Sequence, residues 1–136
     1  MTLLGDCESV EGTESDFRKP RQLGNAIPRL LNAHGDNYIF PDSDKKTCRK
    51  VARLRHERSG RIMEVCTTER CLQFYGGKAL DGTLIGKSGK AYVSHGALCL
   101  ECQGYPDGPN HPELENTLLN PGDTYHQKTK YVFSTE

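Results

Sequence analysis

The sequence predicts a single all-β domain of the sandwich or barrel class. Short runs of alternating or continuous apolar character recur along it, Gly and Pro stand at their joints, and helical periodicity is weak throughout. A length of 136 residues suits one domain, with a lean core given 35% hydrophobic residues, no Trp and a mean hydropathy of -0.69. No internal repeat or low-complexity tract interrupts it.

In chain order, residues 1–24 read as loop, and "NAIPRLLNA" (25–33) offers at most a short turn of helix. "KVARLRH" (50–56) and "RIMEVCT" (61–67) are joined by "ERSG", a turn-like segment ending in Gly, and together predict a hairpin. "CLQFY" (71–75) is the next strand and stops at Gly76-Gly77, after which 76–96 reads as loop. "ALCLECQ" (97–103) is another strand. "TYHQKTKYVF" (124–133) is the last, announced by "NPGD", where Pro then Gly suits a type II turn.

The 18 basic residues balance the 18 acidic ones, so no global attraction to nucleic acid or membrane is implied. Segment 45–61 holds eight Lys/Arg and one acid, leaving ten basic and seventeen acidic side chains elsewhere. No interleaved aromatic platform accompanies this basic stretch, and it reads as solvated strand faces. "MTLLGDCESVEG" lacks the basic and apolar regions of a signal peptide, and no apolar run approaches the roughly 20 residues that span a bilayer. The chain is expected to be soluble and cytoplasmic, with Cys7, Cys48, Cys66, Cys71, Cys99 and Cys102 as reduced thiols.

Two cysteine pairs, Cys66-x4-Cys71 and Cys99-x-x-Cys102, superficially suggest a zinc site. If 97–103 is a strand, its side chains alternate faces, so Cys99 and Cys102 point apart and cannot share a metal. The cysteines then read as small buried apolar residues, and no metal is expected. The same alternation sets Cys99, Glu101 and Gln103 on one face, and Leu98, Leu100 and Cys102 on a core-facing one. A carboxylate and an amide thus project together, into solvent or into a cleft.

"DGTLIGKSG" (81–89) nearly reads as a phosphate-binding loop, but Gly82 and Gly86 enclose three residues where the motif needs four, and no amphipathic helix follows. The five His residues show no metal-ligand spacing, and no G-x-S-x-G occurs.

Longer strings go further. "VEGTESDFRKPRQLG" (10–24), "SGRIMEVCTTERCLQFYGGKALDGT" (59–83) and "HGALCLECQGYPDGPNHPELENTLLNPGDTYHQKTKYVF" (95–133) resemble, in order and spacing, the C-terminal part of the aldose 1-epimerases, the galactose mutarotase family. The resemblance runs from about residue 4 to residue 133. It implies a β-sandwich of the galactose mutarotase type, of which 1–136 is an incomplete C-terminal portion. It also implies interconversion of the α and β anomers of free aldoses such as galactose and glucose, without metal or cofactor. A small sugar is the implied partner, with neither nucleic acid nor membrane.

The family's base is the Glu of a Cys-Leu-Glu-x-Gln strand before a Pro-Asp turn, here Glu101 in "LCLECQ". The Gln of "QFY", a sugar-hydroxyl contact, corresponds to Gln73. The sugar-binding Asp falls on Asp36 of "AHGDNYIF" if one residue is missing just after it, and its place is taken by Gly35 otherwise. Phe74 reads as core, and Tyr105 as the family's turn position; Lys78 and Asp81 carry no assigned role. None of the five His matches the family's general acid, which lies in its N-terminal half with a second sugar-contacting His and an Asn-Arg pair. His95 matches a different His, immediately before the base strand. A base without its acid is expected to give little or no mutarotase activity alone, and unpaired strand edges are expected to favour self-association of a family that is often monomeric. The alternative reading is a non-catalytic carbohydrate-binding or regulatory module that keeps the Gln73 and Glu101 cleft.

Overall fold

The computed structural model describes residues 7–30, 32–40, 46–111, 113 and 117–136. Strands dominate them: β1 (Asp36–Ile39), β2 (Arg49–His56), β3 (Arg61–Thr67), β4 (Cys71–Tyr75), β5 (Asp81–Ile85), β6 (Ala91–Val93), β7 (Cys99–Gln103) and β8 (Thr129–Thr135). Helix is confined to α1 (Leu23–Ala26), which runs on as a 3-10 turn over Ile27–Arg29, and to two further 3-10 turns, Glu57–Ser59 and Gly108–Asn110. The sheets run β2–β3–β8, β1–β4–β7 and β5–β6. The all-β expectation therefore holds, and β2, β3, β4 and β7 lie where the sequence puts them.

Three expectations need correction. Segment 76–96 is not plain loop but carries the β5–β6 hairpin. Leu84, Ile85, Tyr92 and Val93 are all exposed there, so no buried face imposes the in–out alternation that marks a strand. The last strand begins at Thr129 rather than 124, because the preceding residues bond elsewhere. Lys128 N–H donates to Thr68 Oγ1 at 3.0 Å, and Thr68 N–H donates back to Lys128 O at 3.0 Å. Asp36–Ile39, which the sequence marked only as a motif, is strand β1. The "NPGD" turn is as expected: Asp123 N–H reaches Asn120 O at 3.0 Å, and Gly122 has the positive φ of 92° that a type II turn demands. The near-phosphate-loop 81–89 runs into β6, not into a helix. The first six residues of the loop expected over 1–24 lie outside the described residues, as do Lys45 of the basic stretch and part of 95–133.

The chain forms two compact units. One comprises Tyr38–Leu72 and Cys102–Glu136; the other, the segment ending at Asn37 and Gln73–Glu101. In the first, β3 pairs antiparallel with β2 and β8, setting Met63 opposite Leu54 on one side and Phe133 on the other. Lys50 faces Cys66 while Ala52 faces Val65, which leaves Val51 as a bulge. Ile62, Val65 and Thr67 of this central strand are buried with Cys71, Leu72 and Tyr105.

The basic face of β2 is solvated, as expected, and is neutralised locally. Lys50 pairs with Glu64 at 2.8 Å and Arg55 with Glu136 at 3.0 Å, while Arg53 reaches both acids at 3.7 and 3.5 Å. Arg49 differs: its guanidinium lies over the Phe40 ring at 5.1 Å and donates to Glu69 O at 2.9 Å. Glu69 itself is 7% exposed, and its Oε1 accepts the Tyr125 hydroxyl at 2.7 Å. That bond, then burial, pushes the Tyr125 phenol up to about 12.

In the second unit, Ala26, Ile27, Leu30 and Phe74 are buried, which bears out Phe74 as core. Phe17 meets Phe74 edge-on, with ring centroids 5.4 Å apart and planes at 84°. Arg21 covers Phe17 at 5.3 Å and ties the loop by donating to Glu14 O at 2.6 Å and Glu14 Oε2 at 2.7 Å. Arg18 clasps Asp16 through two bonds of 3.0 and 2.8 Å, which hold that carboxyl far below the usual range. Gly35, with φ of 88°, lies against β4: a Cβ there would stand 2.9 Å from Tyr75 Cα and closer still to Phe74 O.

Gly35→Ala is therefore expected to destabilise the chain by at least roughly 1–3 kcal/mol, from backbone strain before any collision is counted, read by urea unfolding. Folded Tyr125 holds its proton above the ordinary value of 10.0, so its contribution is complete below about pH 10 and is lost as pH rises through about 12. Titration by tyrosinate absorbance should show one delayed phenol, absent in Tyr125→Phe. That variant should lose about 1 kcal/mol near neutral pH, at the low end because the residue is 67% exposed.

Candidate functional site

Asp36, Gln73 and Glu101 stand on β1, β4 and β7, three neighbouring strands of one sheet, and all three belong to the second unit. The sequence separates them widely; the strand order makes them neighbours. Among the described residues no hydrogen bond links the three side chains to one another, and each is placed by a different local device.

Asp36 opens β1 and is half-buried. Its Oδ2 accepts the Ser15 hydroxyl at 2.6 Å. Ser15 is offered by a loop pinned at Thr13, whose N–H and hydroxyl both donate to Val10 O, at 3.0 and 2.7 Å, and whose own carbonyl accepts Asp16 N–H at 3.2 Å. Gly35, the other candidate for the acid's place, directs its missing side chain at the β4 backbone.

Gln73 sits mid-strand on β4 and is 6% exposed. Its Nε2 donates to His34 O at 2.9 Å, while its Oε1 is buried without a hydrogen-bond partner among the described residues. A buried orphan acceptor carries a desolvation cost of about 1–3 kcal/mol until a donor reaches it.

Glu101 occupies the middle of β7 and is exposed, and among the described residues no cation pairs with it. Cys99, two residues earlier on the same face, is exposed as well, while Leu100 and Cys102 on the other face are half-buried. The expected alternation is thus present over Cys99–Cys102, while Gln103, expected beside Glu101 on the outward face, is half-buried. Burial first and the Glu101 carboxylate second push the Cys99 thiol up. The expectation of buried cysteines holds fully for Cys71; Cys48, Cys66 and Cys102 are half-buried, and Cys7 and Cys99 are exposed. Among the described residues no group of three or more His, Cys, Asp or Glu is placed to hold a metal ion. No helix there is long and apolar enough to cross a membrane.

Between the Gln73 and Glu101 strands lies a short seam. His95 adopts a left-handed backbone with φ of 61°; its ring Nδ1 lies 2.8 Å from Gly76 O, and its N–H donates to Gly77 O at 3.2 Å. The turn ending β4 is thereby sewn to the turn entering β7. Lys78 Nζ donates to Leu30 O at 3.3 Å, and Asp81 Oδ1 accepts both the N–H and the hydroxyl of Thr83 at 2.9 and 2.6 Å. Both residues left without a role thus hold loops. Ser15 and the His34 carbonyl escaped sequence reasoning altogether, since neither spacing nor residue type marks a hydroxyl or a carbonyl as the holder of a distant side chain.

Known proteins resemble this chain along nearly its whole length. The family model described as aldose 1-epimerase matches residues 2–132. Galactose mutarotase of Mus musculus is 46% identical over 125 residues, covering 92% of this chain and 36% of that protein. Aldose 1-epimerase of Escherichia coli (strain K12) is 33% identical over 135 residues, covering 95% of this chain and 39% of its own. The crystal structure of the GalM/aldose epimerase homologue from C. elegans superposes with a TM-score of 0.82 at 28% identity, over 97% of this chain and 40% of that one. The match falls on the C-terminal part of its relatives, and the chain spans well under half of their length. The fold is accordingly that of the galactose mutarotase sandwich in part, and the chain belongs to the aldose 1-epimerase family.

Proposed function

We propose that this chain carries the base side of a mutarotase site, acting on the anomeric centre of an aldose such as galactose or glucose. The observation that carries this reading is the strand order β1–β4–β7, which sets Asp36, Gln73 and Glu101 on adjacent strands of one unit. The exposed Glu101 carboxylate takes the proton of the C1 hydroxyl. An acid gives a proton to the ring oxygen, and the bond between C1 and that oxygen breaks to leave the open-chain aldehyde. Rotation about C1–C2 turns the carbonyl, and closure with the roles reversed delivers the other anomer.

Gln73 and Asp36 orient the sugar. Gln73 Oε1, without a partner among the described residues, accepts a sugar hydroxyl, and Asp36, with one oxygen held by Ser15, offers the other. Correctly placed acid and base groups each contribute roughly 10²–10⁴-fold. Glu101 supplies only one of these, and the Nδ1 of His95, the histidine that precedes it on the same approach, is committed to Gly76 O. By itself the chain therefore accelerates mutarotation little.

Polarimetry of freshly dissolved α-D-galactose should give a rate within about twofold of buffer; an acceleration lost in Glu101→Gln would refute the inactivity. Titration with galactose, followed by the NMR signals of the Gln73 side-chain amide, should saturate, and Gln73→Ala should weaken binding by about 10-fold. If those signals do not move at any sugar concentration, the sugar-site reading itself fails.

A further inference from the structure

Ser15 is held from both sides. Its N–H donates to Thr13 Oγ1 at 3.2 Å, and Arg21 Nη1 reaches the two carbonyls that flank it, Glu14 O at 2.6 Å and Asp16 O at 3.5 Å. Arg21 Nη2 donates in turn to the Glu14 carboxylate at 2.7 Å. A planar guanidinium, with its donors in a fixed fork, can brace such a bend at several points, whereas an ammonium is a single point of charge. Two residues beyond Ser15, Phe17 meets Phe74 edge-on at 5.4 Å, which docks the same loop against the residue next to Gln73. The loop is therefore positioned by its own bonds and by β4, before β1 is considered. From that position the Ser15 hydroxyl donates to Asp36 Oδ2 at 2.6 Å. Such a bond to a carboxylate is shorter and stronger than one between neutral groups, and it selects one rotamer of the acid.

We propose that Ser15 and Arg21 are positioning residues for sugar binding: Arg21 braces the bend from Glu14 to Asp16, the bend aims the Ser15 hydroxyl, and that hydroxyl holds the Asp36 carboxylate ready for a sugar hydroxyl. This rests on the reading of Asp36 as a sugar contact. The gain is preorganisation. An acid already fixed in one rotamer gives up less freedom when the sugar arrives, so affinity rises although neither positioning residue touches the ligand in this scheme.

Galactose titration of the whole chain, followed by the Gln73 side-chain amide signals, should give a dissociation constant about tenfold higher in Ser15→Ala than in the wild type. Ser15→Thr keeps the hydroxyl and should stay within about twofold of the wild type. Arg21→Lys should weaken binding by about threefold through the loosened bend. Because Ser15 acts through Asp36, Ser15→Ala should cost nothing further in an Asp36→Ala background. Three-bond couplings should report one Asp36 rotamer in the wild type and averaging in Ser15→Ala, with or without sugar. Full affinity in Ser15→Ala, an undiminished loss in the Asp36→Ala background, or an Asp36 rotamer indifferent to Ser15 overturns the proposal and leaves the sugar-site reading standing. A wild-type chain that galactose does not perturb overturns that reading, and the proposal with it.

Discussion

Much of the candidate site depends on one close backbone approach. At Gly35 the chain turns with a positive φ and lies directly against Phe74 and Tyr75, nearer than any side chain would permit. That approach delivers the His34 carbonyl to Gln73 on one side and starts β1 with Asp36 on the other. Two of the three candidate residues thus take their positions from an atom that is missing. The Ser15 hydroxyl completes the set, brought in by a loop whose Phe17 meets Phe74 edge-on and whose Arg18 and Arg21 bond Asp16 and Glu14.

Glu101 is governed differently. Among the described residues no cation pairs with its carboxylate, and its strand is what is positioned. His95 spends its ring nitrogen and a strained backbone on holding Gly76 and Gly77, so the entry to β7 is fixed to the exit of β4. An exposed carboxylate on a fixed strand is what the proposed base role calls for. Gln73, by contrast, is immobilised by burial and by one donated bond.

The legibility of the sequence followed the presence of a buried face. β3 and β4 carry residues that are buried, and their apolar runs were readable to the residue. β5 and β6 are exposed nearly throughout, and the Asp, Gly and Thr of β5 read as loop because no core selects against them. β8 begins late because Thr68 captures Lys128 from a distant part of the chain, a long-range choice that no local pattern encodes. At the site, alternation along 97–103 alone was enough to turn Glu101 away from Leu100 and Cys102. Asp36 and Gln73 were legible only through family likeness, because a polar side chain's partner, here Ser15 or the His34 carbonyl, leaves no periodic trace. The cysteines do not share one environment: alternation places Cys99 outward by the same argument that excludes a shared metal.

That outward thiol bears on how the protein can be handled chemically. Because burial and the adjacent carboxylate hold Cys99 above the ordinary thiol range, its thiolate fraction at neutral pH is small. Alkylating reagents will react at this face slowly, and faster in alkali, and any adduct they leave will stand two residues from Glu101, crowding the face that carries its carboxylate.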